Sequence, residues 1–144
     1  MEKIDKIEWG EELSVDIPEI DELQKKMFAL LNVLIDLKDD QANAKDSSIN
    51  VAELTEYGKY YFAKEEEYLR KAGYPEVERH AKEHRKFIKT TISLRRQVAE
   101  DKANLSYSVI KDLRDWLIVH ISTQDHKYVP FLRTFVYVND CRAR

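Results

Sequence analysis

The chain has 144 residues, 24 basic and 27 acidic, for a formal charge of −3. That length suits one domain with a core of its own. The near balance of charge gives no electrostatic footprint for nucleic acid or an anionic membrane. Cys141 is the only cysteine, which excludes an intrachain disulfide and any all-cysteine zinc or iron–sulfur site. The N-terminus lacks the apolar core of a signal peptide, and no stretch approaches the ~18 apolar residues of a membrane span. The expectation is a cytoplasmic protein with neither nucleic acid nor membrane as partner. Only three Gly and three Pro punctuate the chain, which favours long helices over many short strands.

Residues 1–17 show weak periodicity and read as an extended arm anchored by Trp9. Pro18 suits the first turn of a helix, where its missing N–H costs nothing. From there Ile20, Gln24, Met27, Leu31 and Leu34 recur at three- and four-residue steps, predicting a first helix to about Leu37. After the polar loop Asp39–Ser48, a second helix runs from about Ser48 to about Ala72, with Val51, Leu54, Gly58, Tyr61, Glu65 and Leu69 on its inner stripe. Gly73-Tyr74-Pro75 stops it and starts the third helix, to about Glu100, whose stripe is Val77, His80, His84, Phe87, Thr91, Leu94 and Val98. A short connection at Asp101–Asn104 leads to a fourth helix capped near Ser106, with Val109, Leu113, Trp116, Leu117, His120 and Gln124 inward. Pro130 is expected to end or kink it, leaving a short tail over 131–144. The prediction is an all-α, up-down-up-down four-helix bundle forming a single domain, about 18–130, with an arm and a tail.

Each inner stripe is broken by a polar residue: Gln24, then Tyr61 and Glu65, then His80 and His84, then His120. Buried polar groups require partners. An inward carboxylate needs a cation, and inward histidines need a metal or a hydrogen bond, so these groups meet each other's need in one bundle. His80 and His84 lie one turn apart and aim at one point. Asp125 follows His120 by five residues, a rotation of ~140° on an ideal helix, so it joins them only at a widened or ending turn. Three imidazoles and two carboxylates without thiolate suit iron, manganese or zinc. His80-Ala81-Lys82-Glu83-His84 also matches a zinc-peptidase string, although Glu83 lies off the stripe.

The chain resembles the hemerythrins, bacteriohemerythrins in particular, in four segments in the right order. These are Ile20–Phe28, Tyr61–Glu66 in place of the family's His-Phe-x-x-Glu-Glu, Gly73-Tyr74-Pro75 with His80 and His84, and Trp116–Ile121 with Asp125 and Tyr128. The five-residue step from His120 to Asp125 is the family's own spacing. The resemblance implies a pair of non-haem irons between the helices. One iron takes three histidines, at positions His80, His84 and His120, and the bridging carboxylates map onto Glu65 and Asp125. The O₂-binding iron takes two histidines, and those positions are Gln24 and Tyr61 here.

Three arrangements follow from these two replacements. In the first, a second iron binds with Tyr61 as phenolate and Gln24 through its carbonyl oxygen. In the second, one metal sits at the histidines and Tyr61 and Gln24 hydrogen-bond a ligand. In the third, both fill space in a structural or interaction bundle with a vestigial site. The functional expectation is an iron protein that binds or senses O₂, peroxide or nitric oxide, or handles iron, with weak peroxidase-like activity fitting too. Reversible O₂ transport is not expected. A hydrolase using His80, Glu83 and His84 is the remote alternative.

Overall fold

The computed structural model describes residues 4–40, 44–101 and 106–142. Among them there are helices and turns and no strand. Helix α1 spans Pro18–Asp39 with Pro18 at its start, α2 Ala44–Ala72, α3 Val77–Asp101 and α4 Tyr107–Val119. A π-helical segment, His120–Asp125, joins α4 to α5, His126–Arg142. Neighbouring helices pack α1 on α2, α2 on α3, α3 on α4 and α4 back on α1, which closes the four-helix bundle.

The helices form where the apolar stripes placed them. Leu31, Leu34, Leu54, Leu69, Leu94 and Leu117 are all fully buried, each stabilising the fold by roughly 1.5–3 kcal/mol. The end of α2 is built by Gly73. Its φ of 72° is left-handed, and Tyr74 N–H donates to the Leu69 carbonyl (2.9 Å) while Gly73 N–H donates to that of Arg70 (3.1 Å). This is the Schellman pattern that glycine at that position allows. Ser106 caps α4, its hydroxyl oxygen accepting from Val109 N–H. α2 begins about a turn earlier than Ser48, and α3 begins at Val77, two residues after Pro75. Residues 41–43 of the first loop and 102–105 of the third connection lie outside the described residues.

The chain does not stop at Pro130, and the expected tail is helical as far as Arg142. Proline there removes one backbone hydrogen bond. Tyr128, Val129 and Leu132 are buried on either side of it, so packing holds the helix through the break.

The arm lies over the bundle as expected, with more anchors than Trp9. Ile4, Ile7 and Val15 are buried. The Asn32 side chain both donates to and accepts from the Ile7 backbone at 2.8 Å. Val15 N–H donates to Asp21 (2.9 Å), and the Asp5 carbonyl accepts from Arg114. The Trp9 indole is flanked by the Lys25 ammonium, 4.5 Å from the ring centre. Among the described residues no helix is long and apolar enough to cross a membrane.

Candidate metal centre

Glu65 on α2, His80 and His84 on α3, and His120 and Asp125 at the two ends of the π-helical segment meet inside the bundle. Each is at most 5% exposed. One ligating atom from each lies within 4.8 Å of all the others. The atoms form a closed ring. Glu65 Oε1 is 2.7 Å from His80 Nε2, which is 3.0 Å from Asp125 Oδ1. Asp125 Oδ1 is 3.1 Å from His120 Nε2, which is 3.1 Å from His84 Nε2. His84 Nε2 returns to Glu65 Oε1 at 2.9 Å.

The π-helical segment resolves the awkward step from His120 to Asp125. A turn closed over five residues instead of four rotates less per residue, so residues five apart share a face. Of the two turns that could bring Asp125 to the site, a widened one or an ending one, the structure has the widened one.

The ring fits a metal ion better than it fits itself. Two imidazole nitrogens face each other at 3.1 Å. Both oxygens of Asp125 lack a hydrogen-bond partner despite the two histidine nitrogens nearby, because those contacts are short but badly directed. Adjacent donors around an octahedral ion at roughly 2.1 Å would sit about 3.0 Å apart, the spacing found here. Buried polar atoms that converge without bonding one another call for a further group between them.

Electrostatics agree. Burial opposes charge on Glu65, yet the His80 and His84 contacts hold its carboxyl well below the usual carboxylate range. Burial likewise opposes charge on His80, but Asp125 and Glu65 outweigh it and push the imidazole up to about 10. His84 is raised in the same way, against burial, by Glu65 and Glu66. With no cation between them, the acids thus hold protons on His80 and His84.

A pH dependence follows. The folded-state value of His80 lies above the ordinary 6.5. Its contribution is therefore fully present below pH 6.5 and fades as the pH rises toward about 10. Glu65, shifted down, contributes above the ordinary carboxylate range and loses its effect on acidification. Thermal melts of chelator-treated protein should show a loss between pH 6.5 and 9.5 on the order of a few kcal/mol. Metal binding requires neutral imidazoles, so iron affinity should rise over the same interval.

Around the ring, aromatic and polar neighbours fix His84, His120 and Glu65. Phe62 stacks on His84 (3.9 Å, 7°) and Trp116 on His120 (4.4 Å, 10°). The Tyr128 hydroxyl donates to Glu65 Oε2 (2.9 Å). Glu66 Oε2 lies 2.9 Å from His84 Nδ1, and a carboxylate behind a ligating histidine orients the ring and raises its basicity. Sequence reasoning missed Glu66, because Glu65-Glu66-Glu67 reads as a solvated acidic run. The available signal was its place as the second Glu of the Tyr61–Glu66 segment that matches His-Phe-x-x-Glu-Glu. Glu83 stays off the ring and pairs with Lys86 (3.3 Å) on the surface.

Gln24 and Tyr61 are both fully buried. The Trp9 indole N–H donates to Gln24 Oε1 at 3.1 Å. An indole nitrogen can only donate, so it fixes the amide with its oxygen toward the arm. Tyr61 Oη lies beside Gln24 and Asp125. Neither Gln24 Nε2 nor Tyr61 Oη has a partner at hydrogen-bonding geometry. Burial, with Glu65 and Asp125, raises the Tyr61 phenol well above its ordinary value, so it keeps its proton unless a cation adjoins it.

Residues 15–132 match the family model described as the hemerythrin HHE cation binding domain. The chain belongs to the hemerythrin family. A bacteriohemerythrin of Clostridium acetobutylicum is 27% identical over 84% of this chain and 97% of that protein. One of Stenotrophomonas maltophilia is 31% identical over 83% and 77%. The crystal structure of a wild-type hemerythrin superposes with a TM-score of 0.79 at 26% identity, covering 88% of this chain and 97% of the other. The cofactor of a hemerythrin is non-haem iron, usually a pair, and the buried ring of histidines and carboxylates is the donor set that could hold it.

Proposed function

We propose that this hemerythrin is an asymmetric iron protein that binds a small ligand such as O₂, peroxide or nitric oxide without carrying O₂ reversibly. His80, His84 and His120, with Glu65 and Asp125, hold one iron tightly. A second iron beside Tyr61 would share Glu65 and Asp125 and take Tyr61 as its own side-chain donor. It would have no imidazole and be held weakly. Bound iron would supply Lewis acidity toward the ligand and a change of oxidation state. The residues of the chain do the rest: they exclude water, aim the imidazole Nε2 atoms at one another, and place Tyr61 where a cation would draw off its proton.

The observation that carries this reading is the Trp9 hydrogen bond. It engages the Gln24 carbonyl oxygen, the atom through which Gln24 would have to ligate. Of the two positions where other hemerythrins supply histidine, only Tyr61 remains as a donor. Phenolate is a hard anion that stabilises ferric over ferrous iron, whereas reversible O₂ binding starts from the ferrous pair. The ligand chemistry therefore supports sensing or consumption of an oxidant over transport.

Metal analysis with an optical spectrum tests the reading. Iron-saturated protein should show a ferric–phenolate band in the visible. Mild chelation should remove the band and leave one iron per chain. Tyr61→Phe should lack the band from the outset and keep the tightly held iron. A Tyr61→Phe spectrum identical to wild type would eliminate Tyr61 as a ligand. Protein without iron after growth in iron-rich medium would leave a structural bundle as the reading.

A further inference from the structure

We propose that Gln24 is a hydrogen-bond donor to a small anionic ligand in the centre, and that Trp9 of the N-terminal arm is the positioning residue that orients it. The inference rests on the iron-binding reading above and concerns a different property, recognition of the ligand.

A buried carboxamide in place of a metal ligand has two orientations. Carbonyl inward, it could ligate or accept. Amino group inward, it can only donate. Trp9 Nε1 selects the second, since a donor-only indole lies 3.1 Å from Oε1. The indole is itself held, with Lys25 Nζ 4.5 Å from its ring centre and the arm tied down by Ile7 and Asn32 two residues before it.

The inward amino group is fully buried and unpartnered. An unsatisfied donor of this kind is rare in folded proteins and needs a reason. Tyr61 Oη beside it is also unpartnered, as are both oxygens of Asp125. Tyr61 Oη lies beside both Gln24 and Asp125, so these atoms adjoin one another at the edge of the ring. A ligand there meets the Gln24 N–H groups, which favour a terminal atom carrying negative charge. Azide, hydroperoxide and a reduced nitric oxide or dioxygen have such an atom. A neutral apolar ligand would leave the donor as it is.

The test titrates azide onto iron-loaded protein. Gln24→Leu removes the donor at similar volume and should weaken azide about 10- to 100-fold, the usual loss for a hydrogen bond to a charged group. Its iron content should equal that of wild type. Gln24→Glu keeps the shape and presents only acceptors, so it should weaken azide further. Trp9→Phe releases the amide and should weaken azide by a smaller factor, with iron content again unchanged. The infrared stretch of bound azide should shift in Gln24→Leu, which a change in bundle stability alone would not produce. Iron-free protein gives an independent reading, because the indole N–H resonance of Trp9 should move in Gln24→Leu.

Loss of the weakly held second iron in Gln24→Leu, with retention in Gln24→Glu, would show Gln24 to be a ligand and overturn the inference. So would equal azide affinity in wild type and Gln24→Leu, or iron-loaded wild type that takes no azide. An unmoved Trp9 resonance would overturn the positioning role. Wild-type protein unable to bind iron would sink the functional reading itself and this inference with it.

Discussion

His84→Ala is expected to purify without iron and to gain no stability when iron is added. His84 Nε2 is the ring member in contact with both Glu65 and His120, and its other nitrogen is held by Glu66. Removing it takes one donor from the ring and leaves Glu65 and Glu66 each short of a partner. A site on α2, α3 and the π-helical segment staples three parts of the bundle, so occupancy should raise the melting temperature of wild type. Ligand at a thousand times its dissociation constant contributes about 4 kcal/mol. For a chain of this size that is roughly 10 °C. Wild type should show that rise with ferrous iron under anaerobic conditions, and His84→Ala should show none. The variant also loses the Phe62 stack, so both proteins are compared against their own iron-free melts. An iron-dependent rise in His84→Ala close to that of wild type would place the metal elsewhere.

The paired change Gln24→His with Tyr61→His should convert the weak second position into a tight one. Position 24 is fully buried and adjoins Tyr61, so both introduced imidazoles would enter the bundle side by side. A neutral histidine that ligates through one ring nitrogen keeps its proton on the other and can only donate there, so the exchange gives up the hydrogen bond that the Trp9 indole makes to Gln24 Oε1. Replacing Tyr61 removes the phenolate that favours ferric iron. The double variant should keep two irons per chain through mild chelation, lose the phenolate band, and give an O₂-dependent spectrum from the reduced state. Retention of only one iron would mean that more than these two residues distinguish the site from an O₂-binding one. A rise in stability without a second iron would assign Gln24 and Tyr61 a cost in folding alone.

Much of the bundle was legible in the chain because burial imposes a period. Ile20 to Leu34, Val51 to Leu69 and His80 to Val98 follow the helical step and are buried as read, and the polar residues that break these stripes are the ones that meet. Four features were less legible, each for a physical reason. The π-helical segment depends on how the bundle closes around His120 and Asp125, and local propensity does not encode a wider turn. Pro130 is a strong local stop signal, yet Tyr128, Val129 and Leu132 pack around it and tertiary contact overrides the break. Glu66 and the Trp9–Gln24 bond join segments far apart in the chain. Composition cannot distinguish one glutamate of an acidic run from its neighbours, nor say which end of an amide faces inward.

The arm adds a consequence of a practical kind. The chain has two tryptophans. Trp9 donates to Gln24 and Trp116 lies flat on His120. Every indole in the protein therefore touches the centre, one through a metal ligand and one through the ligand-facing amide. Iron quenches the emission of nearby indoles, so the intrinsic fluorescence of the unlabelled protein is a gauge of its loading. Trp9→Phe leaves only the signal beside His120, and Trp116→Phe only the signal from the arm. The two can thus be read apart by stopped-flow fluorescence, occupancy from the first variant and seating of the arm from the second.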